Sequence, residues 1–159
     1  MRKPVLAFAA AAILVVAYAP VGLATTTKIP FALHEVVDAE LVPGEWTTVD
    51  GVLSARGAVW HAVTTGTPAI EGTDTVVLNF DLDLATGSGE LWGTDRLEPT
   101  LSPGGGYDCT WHGKWVAFTW SGKAVCHGDG TLRGWQLRYT IVPAGDGYDL
   151  RGYYFLPSH

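Results

Sequence analysis

Apolar and polar residues alternate with a period of two through most of the chain beyond residue 25, and no window sustains the spacing of an amphipathic helix. Val76, Leu78, Phe80, Leu82 and Leu84 alternate with Val77, Asn79, Asp81 and Asp83, giving one apolar face and one mostly wet face. Between Tyr107 and Trp115 the inner set is Cys109, Trp111, Gly113 and Trp115, against Asp108, Thr110, His112 and Lys114. Trp135, Leu137, Tyr139 and Ile141 form another inner face, and Tyr148, Leu150, Gly152 and Tyr154 a further one. Strands are also predicted over 29–37, 46–49, 52–64 and 89–97, with one or two more in 118–127.

Short connections rich in turn formers separate these segments: Asp50-Gly51, Thr86-Gly87-Ser88, Ser121-Gly122, Gly128-Asp129-Gly130 and Gly145-Asp146-Gly147. Such residues supply the positive φ that tight hairpins demand. Strands in this order read as an antiparallel meander. With no helix to cover a face, the sheet must curl to bury its apolar side. The predicted fold is therefore all-β: a small antiparallel meander β-barrel of about eight strands. A weak repeat relates Gly87-Ser-Gly89-Glu-Leu91-Trp-Gly93 to Gly128-Asp-Gly130-Thr-Leu132-Arg-Gly134. A phosphate cradle needs a helix N-terminus behind its glycines. These segments lead into strands, so turn and strand geometry is the better reading.

The first residues break the pattern. Arg2 and Lys3 precede an apolar run of 14 residues from Val5 to Tyr18, and Gly22-Leu23-Ala24 places small residues where a signal peptidase reads. This is the layout of a cleaved secretory signal peptide over residues 1–24. The run is shorter than the roughly 20 residues that span a bilayer. The mature chain, 25–159, is then one extracytoplasmic domain without a membrane span, monomeric or weakly associating. Loss of Arg2 and Lys3 leaves 8 of the 10 basic residues against 16 acidic ones. A surface of that sign does not attract nucleic acid or anionic membranes.

Cys109 and Cys126 are an even pair beyond an export signal, which reads as a disulfide. Closing such a loop stabilises by roughly 3 kcal/mol in the chain-entropy model. A hairpin turn at Ser121-Gly122 would set position 126 opposite Ala117 and leave Cys109 about 26 Å away at ~3.3 Å per residue. The bridge then requires a wider excursion over 114–121. No metal or cofactor motif is present: the cysteines lack CxxC spacing, and Asp81-x-Asp83 lacks the later oxygen ligands of a calcium loop.

Leu78-Asn79-Phe80-Asp81-Leu82-Asp83, the run from Thr86 to Thr94, Thr110-Trp111-His112-Gly113, and Gly128-Asp129-Gly130 with Leu132-Arg133-Gly134 resemble small exported bacterial barrels. Those barrels are similar to the allene oxide cyclase and dirigent group. The resemblance covers about residues 50–142 and lies in turn and barrel-shape residues. It implies an eight-stranded barrel and carries no catalytic residue onto this chain.

Seven tryptophans are the richest source of site candidates. Phe80, Trp111, Trp115, Trp135, Tyr148 and Tyr154 fall on inner faces. They either fill the barrel or line a pocket at its mouth for a small apolar or aromatic ligand. Binding in that mouth is the leading expectation. A second is a cofactor-free isomerase or cyclase in which Glu35 and His61, the polar members of two inner faces, act as an acid/base pair. A bulge at Gly57 would instead turn residues outward. The third is glycan recognition by Trp60 or Trp92, both placed on outer faces.

Overall fold

A computed structural model describes residues 27–156, which form nine strands and no α-helix. The strands are β1 (Lys28–Val42), β2 (Glu45–Val49), β3 (Val52–Gly66), β4 (Gly72–Asp83), β5 (Ser88–Pro99), β6 (Tyr107–Val116), β7 (Thr119–Gly128), β8 (Gln136–Ala144) and β9 (Gly147–Phe155). Each of β3 to β8 pairs antiparallel with the next in sequence, β9 pairs with β1, and β1 returns to β3. Eight strands thus close an antiparallel meander barrel. β2 is an extra strand, paired to the first half of β3 beyond the end of β1. The leader expected over 1–24 lies outside the described residues. Among those described, no helix is long and apolar enough to cross a membrane.

The alternation sets the interior. Phe31, Leu33, Leu78, Phe80, Leu82, Leu91, Leu97, Trp111, Leu137, Tyr139, Ile141 and Leu150 are buried in one continuous core, as their inward parity requires. The two barrel ends differ. The tight β4–β5, β6–β7 and β8–β9 hairpins gather at one end, while the longer β3–β4, β5–β6 and β7–β8 connections cross the other. Ile70 and Leu132 drop from those longer connections into the core and plug that end, beside the buried Tyr107. Outside, Arg96 ties the same connections together. Its guanidinium donates to both oxygens of Asp129 at 2.6 and 3.0 Å and to Asp108 at 2.9 Å.

The disulfide between Cys109 and Cys126 is formed. It needs no wider excursion, because the hairpin turn is not at Ser121-Gly122. Val116 pairs with Thr119, and Ala117 and Phe118 make the turn at φ 50° and 63°. That register sets Cys126 directly opposite Cys109, and Gly122 opposite Gly113 within the ladder. Two-residue hairpins favour positive φ at both central positions because their twist then matches the strands. Here that geometry is held by residues with side chains.

A second register change decides the site. Between Ala55 and Ala58 the β3–β4 pairing slips by one residue, with Gly57 at φ 66°. The bulge inverts the inward parity of everything after it. Ala58, Trp60, Ala62 and Thr64 turn inward, whereas Val59, His61 and Val63 turn out. The expectation that His61 faces the interior is corrected by this bulge, as is the placing of Trp60 on the outer surface.

Candidate functional site

The end opposite the plug is hollow. A cavity of about 330 Å³ lies inside the barrel, within the size range of small-molecule pockets. Its walls are aromatic and aliphatic in equal number. Trp46 meets Phe80 edge-on at 5.4 Å between ring centroids, and Phe80 meets Trp115 at 6.1 Å. Trp111 lies 6.2 Å from Trp120, which lies 4.8 Å from Tyr148. Trp60 completes the lining from β3. Trp111 fits because its neighbour across β5–β6 is Gly93, where a Cβ would come within 2.7 Å of the indole. A wider depression at the barrel mouth, bounded by Phe118, Pro143 and the Gly145–Gly147 turn, shares Val37, Trp60, Trp115, Trp120 and Tyr148 with the cavity.

Of the aromatic residues expected to bind a ligand, Phe80, Trp111, Trp115 and Tyr148 line this cavity. Trp135 and Tyr154 do not. They stack on one another at 5.7 Å and pack against the core outside the lining. Trp46, Trp60 and Trp120 join the lining without having been anticipated. Trp46 reaches it from β2, half exposed, its indole N–H donating to the Pro43 carbonyl at 2.6 Å. Trp92 stays on the outer surface, where the Arg56 guanidinium covers its ring at 4.9 Å.

The cavity floor is acidic. Glu35 from β1 and Asp95 from β5 line it, and Asp74 from β4 lies behind them, only 1% exposed. Tyr139 from β8 donates its hydroxyl to one oxygen of Asp95 at 3.2 Å, and the other oxygen of Asp95 has no hydrogen-bond partner. Asp74 faces Glu35, but the contact falls short of a well-directed hydrogen bond, and both Asp74 oxygens remain without a full partner. Among the described residues, no basic side chain lines the cavity.

Burial in this apolar shell favours the neutral carboxyls. Desolvation and then the charge of Asp95 push Glu35 up to about 7, against a partial offset from Asp74. Desolvation and then Glu35 raise Asp74 well above the ordinary carboxylate range, and desolvation and then Asp74 do the same for Asp95. Tyr139 is raised by its burial and by Asp95. Burial thus drives Asp74 and Asp95 toward their protonated forms, and Glu35, at about 7, is poised to exchange a proton.

His61 takes no part in this floor. Its Nδ1 lies 2.6 Å from Asp38 on the outside of the barrel, so Glu35 and His61 do not converge. Asp95 also approaches the disulfide sulfurs, within 4.8 Å, but sulfurs bonded to each other are not thiolate ligands for a metal. Asp81 sits on the outer face, bonded to Ser54 and Arg56, as its parity predicts.

Asp74 and Asp95 were legible in principle. Asp74 continues the series Val76, Leu78, Phe80 backward by one pair, and Asp95 continues Leu91, Gly93 forward. A carboxylate at such a position normally marks a strand end. Comparison with family models, with curated proteins and with solved structures found no match, so what is shown of this chain's kinship is an all-β, closed eight-stranded barrel with one added strand.

Proposed function

We propose that this chain is an exported barrel that binds a small, largely apolar ligand within its hollow end. The observation that carries the reading is the cavity of about 330 Å³, walled by tryptophans and continuous with a depression at the barrel mouth. An eight-stranded barrel is just wide enough to be filled by its own side chains or to hold one small ligand. Here the plugged end is filled and the other end is not. Aromatic walls offer a planar ligand large contact area at little entropic cost. The disulfide is compatible with an extracytoplasmic setting. The resemblance to the allene oxide cyclase and dirigent group remains a proposal about kinship and supplies no chemistry.

The experiment is native mass spectrometry of the chain recovered from the medium of cells that export it. A noncovalent adduct, lost on denaturation, supports the reading, and its mass identifies the ligand. A bare polypeptide mass under conditions that preserve other noncovalent complexes counts against it.

A second reading is cofactor-free isomerisation in the same cavity. What supports it is Glu35 at about 7 beside the cavity, because a general acid or base works best near the operating pH. His61 is not its partner; Asp74 would be the group with which Glu35 shares a proton. Conversion of a bound molecule that stops in Glu35→Gln, with binding retained, distinguishes this reading from simple binding.

A further inference from the structure

We propose that the ligand is an organic cation, an amine or quaternary ammonium group on a flat apolar body, with its charge set against Glu35 and Asp95 and its body against the tryptophans. The proposal rests on the reading that the cavity binds a ligand, and adds its chemical class.

Three observations converge on this class. First, the sign of the interior is uniform. Glu35, Asp74 and Asp95 are the only buried ionisable carboxyls among the described residues, they meet at one floor, and the cavity lining contains no lysine, arginine or histidine to neutralise them. Second, Asp95 is 8% exposed, lines the cavity, and keeps one oxygen without a hydrogen-bond partner. Native proteins seldom leave a buried carboxylate oxygen unpaired, and such a group is a ready partner for something the chain itself does not supply. Third, five tryptophans, the best aromatic partners for a cation, stand among the residues that line the cavity.

The energetics favour the same choice. Carboxyls in an apolar interior are costly, and hydrophobic residues of similar volume would fill the floor with less penalty. A purely apolar ligand would leave that penalty standing and Asp95 still unpaired. An anion would meet the carboxyls at the floor, with only the unpartnered indole N–H groups of Trp111 and Trp115 to receive it. A cation offers the unpaired Asp95 oxygen a partner and gives Glu35 a countercharge when it ionises.

The test measures displacement of neutral 1-aminoanthracene by two probes of nearly equal shape, phenyltrimethylammonium and tert-butylbenzene, with acetophenone as a neutral hydrogen-bond acceptor. At pH 8 phenyltrimethylammonium is expected to bind at least tenfold more tightly than tert-butylbenzene or acetophenone. Glu35→Gln combined with Asp95→Asn should bring phenyltrimethylammonium and tert-butylbenzene to equal affinity by direct calorimetric titration, in a variant whose β-sheet circular dichroism is unchanged. The preference should also grow with pH through about 7, as Glu35 ionises amid Asp74 and Asp95 and the Tyr139 hydroxyl. Equal affinity for cation and isostere, a stronger response to acetophenone, or a preference that survives the double variant overturns the cation while the binding cavity stands. If 1-aminoanthracene itself fails to bind the unaltered chain, the cavity reading falls and the cation with it.

Discussion

Inside the barrel, Asp74 of β4 faces Glu35 of β1: Asp74 lies behind the cavity floor, 1% exposed, while Glu35 lines the cavity itself. Burial raises both groups, but their mutual contact works in opposite directions, lowering Glu35 and raising Asp74. The pair thus divides into one acid raised well above the ordinary carboxylate range and one that changes charge near 7.

This division gives the empty barrel a pH dependence. Glu35 has a folded-state value near 7 against an ordinary 4.5, so the native state binds more protons than the unfolded state across that window. Stability contributed by the neutral form is full below about 4.5 and declines as pH rises to about 7. Urea denaturation from pH 4.5 to 8 should show a decline, and Glu35→Gln should be flatter. At pH 8 the variant should be the more stable by roughly 3 kcal/mol at ~1.4 kcal/mol per unit.

The disulfide joins directly opposed residues of β6 and β7, both buried. Replacing both cysteines with serine should lower the unfolding free energy by about 3 kcal/mol. Alkylation of the urea-unfolded chain should add no label without reductant and two labels after reduction, as read by intact mass. Because the ladder on either side is continuous, circular dichroism of the double variant at low temperature should still report a β-sheet.

Gly57 has open space where a Cβ would stand, so a side chain there meets no clash. Its φ of 66° alone penalises substitution. Gly57→Ala should destabilise by about 1 kcal/mol, and Gly57→Asn by less, because asparagine tolerates the left-handed region. Equal costs for the two, measured by urea midpoint, would show that something other than φ governs the bulge.

On the outer surface His34 bridges β1 to the β8–β9 hairpin at the barrel mouth, Nδ1 to Asp149 at 3.2 Å and Nε2 to Asp146 at 3.1 Å. Those two carboxylates, Asp149 first, raise the imidazole above its ordinary 6.5. A raised histidine contributes stability that is full below 6.5 and fades as pH rises through the folded value. A proton NMR titration should place His34 above 6.5, and Asp149→Asn should lower it. Hydrogen exchange in the Gly145–Gly147 turn should quicken once His34 is neutral.

Much of this architecture is written in local pattern. The inward series of β4, β6, β8 and β9 follows directly from alternation, because an unbulged strand leaves each side chain only two directions. Legibility ends where one residue changes the count. Gly57 reverses the parity of Trp60 and His61, and a lone glycine within a strand does not announce whether it bulges or merely packs. Ala117-Phe118 turns the β6–β7 hairpin without any turn-forming residue, while Ser121-Gly122, four residues on, carries the turn signal and lies flat in the ladder. The floor was half visible: Glu35 stood out among apolar neighbours, but Asp74 precedes the strand predicted from Val76, and Asp95, within the predicted 89–97 strand, is an acid at an inward position beside a threonine and an arginine. Only closure of the barrel brings residues from β1, β4 and β5 to one place.

The central claim is that the hollow end accepts a ligand, and a fluorescence titration of 1-aminoanthracene against the unaltered chain and Val76→Phe tests it most directly. Val76 lines the cavity from β4 without being fully buried, so the larger ring occupies ligand space while the ladder and the disulfide are retained. The account predicts saturable enhancement with one site per chain, and loss of that site in a variant whose unfolding midpoint is unchanged or higher. Enhancement that never saturates, or that is identical in the filled variant, would contradict it.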